Sequence, residues 1–134
     1  MKFTLQQIKD THAKVKSGAD FPQYVADRKD LGMTGYTIDI NAGKTTYTDI
    51  DGAILSTESV YATVPLNKTV DQERFMERLK LHQQGGTDYL TFCNDCMENG
   101  VAGWTLDFGE MTCYYFDGKG DGVLVEIIPG VQKQ

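Results

Sequence analysis

The sequence predicts an α+β fold in which two ααβββ repeats form a largely antiparallel sheet with helices packed on one face. Segments with apolar residues at helical spacing precede segments of alternating residues, and this order occurs twice. The two copies align when the chain is shifted against itself by 68 residues. We therefore expect a single domain with one repeat at about residues 3–57, a connection at about 58–68, and a second repeat at about 69–129.

Two helices are expected at the start of the first copy. Thr4 and Gln7 form a capping-box pattern, and apolar residues then recur at helical spacing until Ser17-Gly18. For the second helix, Asp20 is the predicted N-cap and Gly32 is the left-handed residue that ends it. Three strands follow, at residues 36–40, 45–50 and 53–57, because these segments alternate in polarity or are β-branched and aromatic.

The second copy repeats this order. A capping box of Thr69 and Gln72 predicts a helix that ends at Gly85-Gly86, and a Thr87 cap predicts a further helix that ends at Gly100. Strands are then expected at residues 104–108, 112–116 and 123–128.

The match between the copies favours an internal duplication. Asp20, Asp27, Gly32, Gly35, Thr37 and Asp39 meet identical residues, and aromatic residues face each other at 21/89, 24/92 and 36/104. Turn chemistry explains shared glycines and capping aspartates but does not require the aromatic matches. Each copy would cover a sheet face that the other leaves bare. The residues that we expect to be mostly buried are Ile8, Val15, Tyr24, Leu31, Tyr36, Ile38, Leu79, Phe92, Trp104, Leu106, Val123 and Val125.

The charge and the composition restrict which partners and which cellular compartment we expect for the chain. The net charge of −6 disfavours nucleic acid and an anionic membrane surface, while basic partners remain open. We find no secretory signal and no membrane span, so the expected compartment is the cytoplasm, where the three cysteines stay reduced. The strand predicted at 123–128 would allow a homodimer if its edge is uncovered.

Two segments resemble a known family. Residues 12–22 (HAKVKSGADFP) and 82–96 (HQQGGTDYLTFCNDC) look like the YbcV-like family of small bacterial proteins, and the similarity spans nearly the whole chain. Members of that family are often labelled phage envelope protein, and the family is otherwise a domain of unknown function. The resemblance implies a bacterial or prophage-derived α+β protein, and it brings no established active site.

The cysteines offer one candidate for chemistry. Cys93 and Cys96 form a CxxC, which with His82 and Cys113 reaches the four ligands of a zinc site. Against this, the CxxC is predicted inside a helix and the other two ligands are isolated. The alternative is that Cys93 and Cys96 are small buried hydrophobes, and we predict no metal and no cofactor.

Four further residues are candidate ligand-binding positions. His12 and His82 fall on the apolar faces of their helices, where a histidine is either a neutral core residue or a general base at the edge of a pocket. Asp39 and Asp107 are repeat-equivalent and could approach one another as a carboxylate pair, or lie on the solvated side of the sheet.

The sequence favours a non-enzymatic module that binds a small molecule or a protein, because no catalytic signature is present and a duplicated domain forms a seam between its copies. Two alternatives stay open. One is a metal-binding or thiol-dependent small enzyme that uses His82, Cys93 and Cys96, and the other is a phage structural component, which rests on the family label alone.

Overall fold

A computed structural model describes residues 4, 6, 7, 21–58 and 61–128 of the chain. Three helices and six strands lie in these ranges, in the order α1 (Phe21–Asp30), β1 (Met33–Asp39), β2 (Lys44–Asp49), β3 (Ile54–Glu58), α2 (Gln72–Gln83), α3 (Tyr89–Glu98), β4 (Gly103–Asp107), β5 (Thr112–Phe116) and β6 (Gly122–Ile127). None of these helices is long and apolar enough to span a membrane.

The six strands form one antiparallel sheet in the order β3-β2-β1-β4-β5-β6. The two copies meet at β1 and β4, where Thr37 lies opposite Thr105. These two threonines are 68 residues apart, so each occupies the same position in its own repeat, and the pairing has local two-fold symmetry about the point between them. The α+β class and the antiparallel sheet are confirmed.

A glycine of each copy lets the two central strands approach closely. A Cβ atom on Gly35 would lie 2.3 Å from the carbonyl oxygen of Leu106, and one on Gly103 would lie 2.0 Å from that of Ile38. No real Cβ atom is found so close to a backbone atom, so a side chain at either position would push the strands apart. Because Gly35 and Gly103 are repeat-equivalent, the close approach has the same two-fold symmetry as the register.

The helix ends match the predictions, while two helix starts differ. Gly32 and Gly100 adopt φ of 90° and 83°, the left-handed conformation that ends a helix. The N-cap of α2 is Asp71 rather than Thr69, and the N-cap of α3 is Asp88 rather than Thr87. In each case an aspartate lies within two residues of the predicted threonine, and a carboxylate caps better because it also interacts with the helix dipole.

The predicted first helix lies outside the described residues except for its start. There, Thr4 N–H donates to Gln7 Oε1 at 2.8 Å and Gln7 N–H donates to Thr4 Oγ1 at 3.2 Å, which confirms the reciprocal capping box. Asp20 is also outside the described residues.

The core lies between the sheet and the helices. Eight of the predicted residues are buried: Tyr24, Tyr36, Ile38, Leu79, Phe92, Trp104, Leu106 and Val123. Leu31 is half-buried and packs against the core, and Ile8 and Val15 lie outside the described residues. The prediction that Val125 is buried is wrong, since 58% of its surface is exposed. The register shifts between Tyr115 and Phe116, and this bulge places Val123 and Val125 on different sides of the sheet.

Candidate functional site

The side of the sheet away from the helices, which we call the open face, carries short side chains in its centre. In β1 and β4, Tyr36 and Trp104 point into the core, and their neighbours Thr37 and Thr105 therefore point to the other side, where both are half-buried. Strand alternation thus separates an aromatic inner face from a hydroxyl-bearing open face.

Five threonines on the open face line a shallow depression, which we call the threonine trough (Thr34, Thr37, Thr46, Thr48 and Thr105). Its volume is about 390 Å³, and Gly35, Tyr36, Leu106 and Asp107 complete its lining. The depression exists because glycine and threonine occupy this side of the central strands between Asp39 and Asp107.

The trough hydroxyls bond to one another. Thr37 Oγ1 lies 2.8 Å from Thr105 Oγ1, and Thr34 Oγ1 lies 3.0 Å from Thr48 Oγ1. The Thr48 hydroxyl also lies within 3.3 Å of the carbonyl oxygen of Gly35, to which it can donate. Apart from the carboxylate of Asp107, the lining of the trough is uncharged, and its hydroxyls can still accept a further hydrogen bond.

Beside the trough, the outer strands carry larger apolar side chains, which we call the apolar patch (Tyr114, Phe116, Val125 and Ile127). Val125 and Ile127 are 58% and 82% exposed. The rings of Tyr114 and Phe116 are stacked with centroids 6.5 Å apart, and the Tyr114 hydroxyl donates to the carbonyl oxygen of Gly120 at 3.1 Å. Contiguous exposed apolar groups on a folded surface are typical of interaction sites.

Asp39 and Asp107 do not form a carboxylate pair. Asp39 lies opposite Gly103 and Asp107 lies opposite Gly35, so they occupy opposite ends of the β1–β4 pairing, about 14 Å apart. Asp39 Oδ1 accepts from Ala42 N–H at 2.9 Å, and Asp107 Oδ1 accepts from Gly109 N–H at 2.9 Å. Each carboxylate therefore holds the hairpin turn that follows its own strand.

His82 joins the end of α2 to the start of α3. Its ring stacks on Phe92 with centroids 4.3 Å apart, and Nδ1 lies 3.0 Å from Thr87 Oγ1 and 3.1 Å from the Thr87 carbonyl oxygen. Burial lowers the pKa of His82 below its ordinary value, although the Thr87 hydrogen bond opposes this. The site is away from the open face, and His12 lies outside the described residues.

The three thiols are buried and free. Burial raises the pKa of Cys93 and of Cys113 to about 12 and raises that of Cys96 well above its ordinary value. In the described part of the chain, no three His, Cys, Asp or Glu side chains are grouped as metal ligands. His82, Cys93, Cys96 and Cys113 are therefore not brought together as a four-ligand site.

A cluster that the sequence did not indicate surrounds Arg28, whose exposed fraction is 1%. The guanidinium carbon lies 4.0 Å from the ring centre of Tyr24, 5.0 Å from that of Tyr36 and 5.5 Å from that of Tyr47. Burial raises the pKa of Tyr24 to about 12, so its phenol stays neutral beside the cation. The signal was the spacing of Arg28 four residues after Tyr24, which places both on one helix face.

The family described as protein of unknown function DUF1398 matches residues 9–127. No curated protein matches the chain.

Proposed function

Since the chain belongs to DUF1398, a family of unknown function, we propose a function from the open face alone: a non-enzymatic module that binds another protein. The observation that carries this proposal is that the threonine trough adjoins the apolar patch on one side of the sheet, where Thr105 lies opposite Tyr114. A protein interface needs apolar side chains that can lose their bound water. It also needs polar groups nearby whose hydrogen bonds are already satisfied. The two neighbouring regions supply both.

The size of the face favours a protein over a small molecule as the ligand. Six strands at about 4.8 Å spacing make a surface about 29 Å wide, which is broader than a drug-sized ligand covers. The trough is shallow and open, so it would bury only part of a small molecule. A protein surface could contact the trough and the apolar patch together.

Charge on the face indicates the chemistry of the partner. The threonines of the trough are neutral, while Asp107 at its rim and Asp39 and Glu58 at other strand ends are negatively charged. Among the described strand residues on this face, Lys44 is the one cation. With a net charge of −6 for the chain, the complementary partner has a neutral or apolar centre and a basic rim.

The thiols favour binding over thiol-dependent chemistry. A nucleophilic cysteine needs a lowered pKa and access to substrate. Cys93 and Cys113 have the opposite properties, since both are buried and the pKa of each is raised to about 12.

Capture from a lysate of the source organism tests the proposal when it is compared across variants. Immobilised wild-type protein should retain a partner that Thr105→Lys and Ile127→Lys lose. The matched control is Met76→Lys, which adds the same charge at an exposed apolar residue of α2 and should retain the partner. Retention that is equal for all four proteins, or no specific retention at all, would contradict the proposal.

We place this activity in the bacterial cytoplasm, and a structural role in phage particles is the competing proposal that the sequence resemblance suggests. Fractionation of cells after prophage induction distinguishes the two. Protein confined to the soluble fraction supports the cytoplasmic module, whereas co-purification with particles supports the structural role.

A further inference from the structure

Among the described residues, the outer edge of the last strand, β6, is only partly capped. Ile128 N–H donates to the Met111 carbonyl oxygen at 2.7 Å, toward β5. Because hydrogen-bonding directions alternate along an antiparallel pair, the backbone groups of Val125 and Ile127 point the other way, out of the sheet. The carbonyl oxygen of Val123 is capped by Gln72 Nε2 at 2.7 Å, whereas no cap contacts Val125 or Ile127 in the described part of the chain.

The side chains of the same strand differ between its two faces. Val125 and Ile127 belong to the apolar patch on the open face. Glu126, between them, points to the helix side, where it is half-buried and its Oε1 accepts from the Tyr115 hydroxyl and from Gln83 Nε2, each at 3.1 Å. A strand added beside β6 would therefore meet apolar groups on one face and a carboxylate on the other.

We infer that the β6 edge binds an extended segment of the partner protein as a seventh strand, with β-branched apolar residues beside Val125 and Ile127 and a lysine or arginine beside Glu126. This inference rests on the proposed function and gives its partner a sequence pattern. Neighbouring side chains on adjacent strands have Cβ atoms about 5 Å apart, which is close enough for an ion pair with Glu126. Backbone hydrogen bonds would provide affinity, and the alternating side chains would provide specificity.

The opposite edge of the sheet lacks this combination. On β3, the residues that share the open face with Ile54 are Ser56 and Glu58, so exposed polar groups stand where β6 has Val125 and Ile127. Ile54 is 64% exposed, which makes it a matched control for substitution at Ile127.

Charge also disfavours a second copy of the chain at this edge. The antiparallel register that pairs Val125 with Ile127 of another copy would set the two Glu126 carboxylates directly opposite each other. Both chains would also carry a net charge of −6. A basic segment of a different protein avoids both sources of repulsion.

The test uses a synthetic seven-residue peptide in which valine and lysine alternate, and its binding to the full chain is measured by calorimetry. A peptide of the same composition without alternation, and one with glutamate in place of lysine, serve as controls. We expect Ile127→Lys to weaken binding by about tenfold or more and Ile54→Lys to leave it within about twofold. Glu126→Gln should reduce the preference for lysine over glutamate.

A fourth peptide, N-methylated at the amides that would face β6, tests the backbone pairing without changing the protein. Loss of binding on methylation supports strand addition. Equal binding of the methylated peptide, no binding of the alternating peptide, or a dimer of the chain that Ile127→Lys dissociates would overturn it. If one of these outcomes occurs while the Thr105→Lys and Ile127→Lys variants still lose the captured partner, strand addition fails and the proposed function stands.

Discussion

The interior of the first copy and that of the second have different chemistry on the same backbone. In the first copy, Arg28 lies among the rings of Tyr24, Tyr36 and Tyr47. A shift of 68 residues places Cys96 at the position of Arg28. The same shift replaces Tyr24 by Phe92 and Tyr36 by Trp104 and keeps a tyrosine, Tyr115, at the position of Tyr47; all three are buried. The backbone of this fold therefore tolerates either a cationic or an apolar interior, provided that the volume is filled and the charge has suitable neighbours.

The two copies also differ on the open face, where the second copy is again the more apolar one. Thr46 and Thr48 of the first copy correspond to Tyr114 and Phe116 of the second. The first copy thus contributes small hydroxyl groups, and the second contributes half-buried aromatic rings beside the exposed side chains of Val125 and Ile127. We expect most of the binding energy for a partner to come from the second copy, because binding hot spots are enriched in large aromatic side chains.

The largest expected effect follows from making the second interior resemble the first. Cys96→Arg forces a much longer, charged side chain into a position that a fully buried thiol fills, so overpacking adds to the cost of desolvating the guanidinium. We expect a loss of at least about 4 kcal/mol in the free energy of unfolding, measured by urea denaturation. A loss below about 1 kcal/mol would show that the two interiors are interchangeable.

Substitution of the two central glycines should lower stability by a smaller amount, and by the same amount in each copy. Gly35→Ala and Gly103→Ala each bring a Cβ atom against the backbone of the facing strand. We expect each to cost about 2–3 kcal/mol, since the close strands must separate in both cases. Thermal unfolding of the two variants measures this. A large effect at one glycine and none at the other would contradict the two-fold symmetry of the β1–β4 junction.

Arg28→Lys tests what the first interior requires. The variant keeps the positive charge but loses the planar guanidinium that stacks on Tyr24. We expect a loss of about 1–2 kcal/mol by urea denaturation. Unchanged stability would mean that charge alone, rather than the guanidinium plane, stabilises this interior.

The smallest effect concerns His82, at the junction of α2 and α3. Burial lowers its pKa in the folded protein, so protonation favours the unfolded chain. Its contribution to stability should be full above about pH 6.5, the pKa in the unfolded chain, and should be lost progressively as the pH falls below it. His82→Gln should flatten this part of the stability profile. An unchanged profile would assign the dependence to other groups.

The sheet could be predicted from the sequence, but the side chains that fill the interior of the first copy could not. Period-two alternation, turn residues and the 68-residue repeat are local or linear signals, and they predicted all six strands and the left-handed glycines Gly32 and Gly100. Val125 was misplaced because a bulge changes the alternation without a composition signal. The burial of Arg28 was not predicted because a charged residue on a helix is normally solvated. Its burial depends on Tyr36 of β1 and Tyr47 of β2, which are distant in sequence.

Site-specific photo-crosslinking in living cells tests the binding role of the open face most directly. A photoreactive amino acid is placed at Thr105 in the trough, at Ile127 in the apolar patch or at Met76 on α2. The proposed function predicts the same protein adduct from the first two positions and none from Met76. An adduct from Met76 alone, or adducts of equal yield from all three positions, would contradict it.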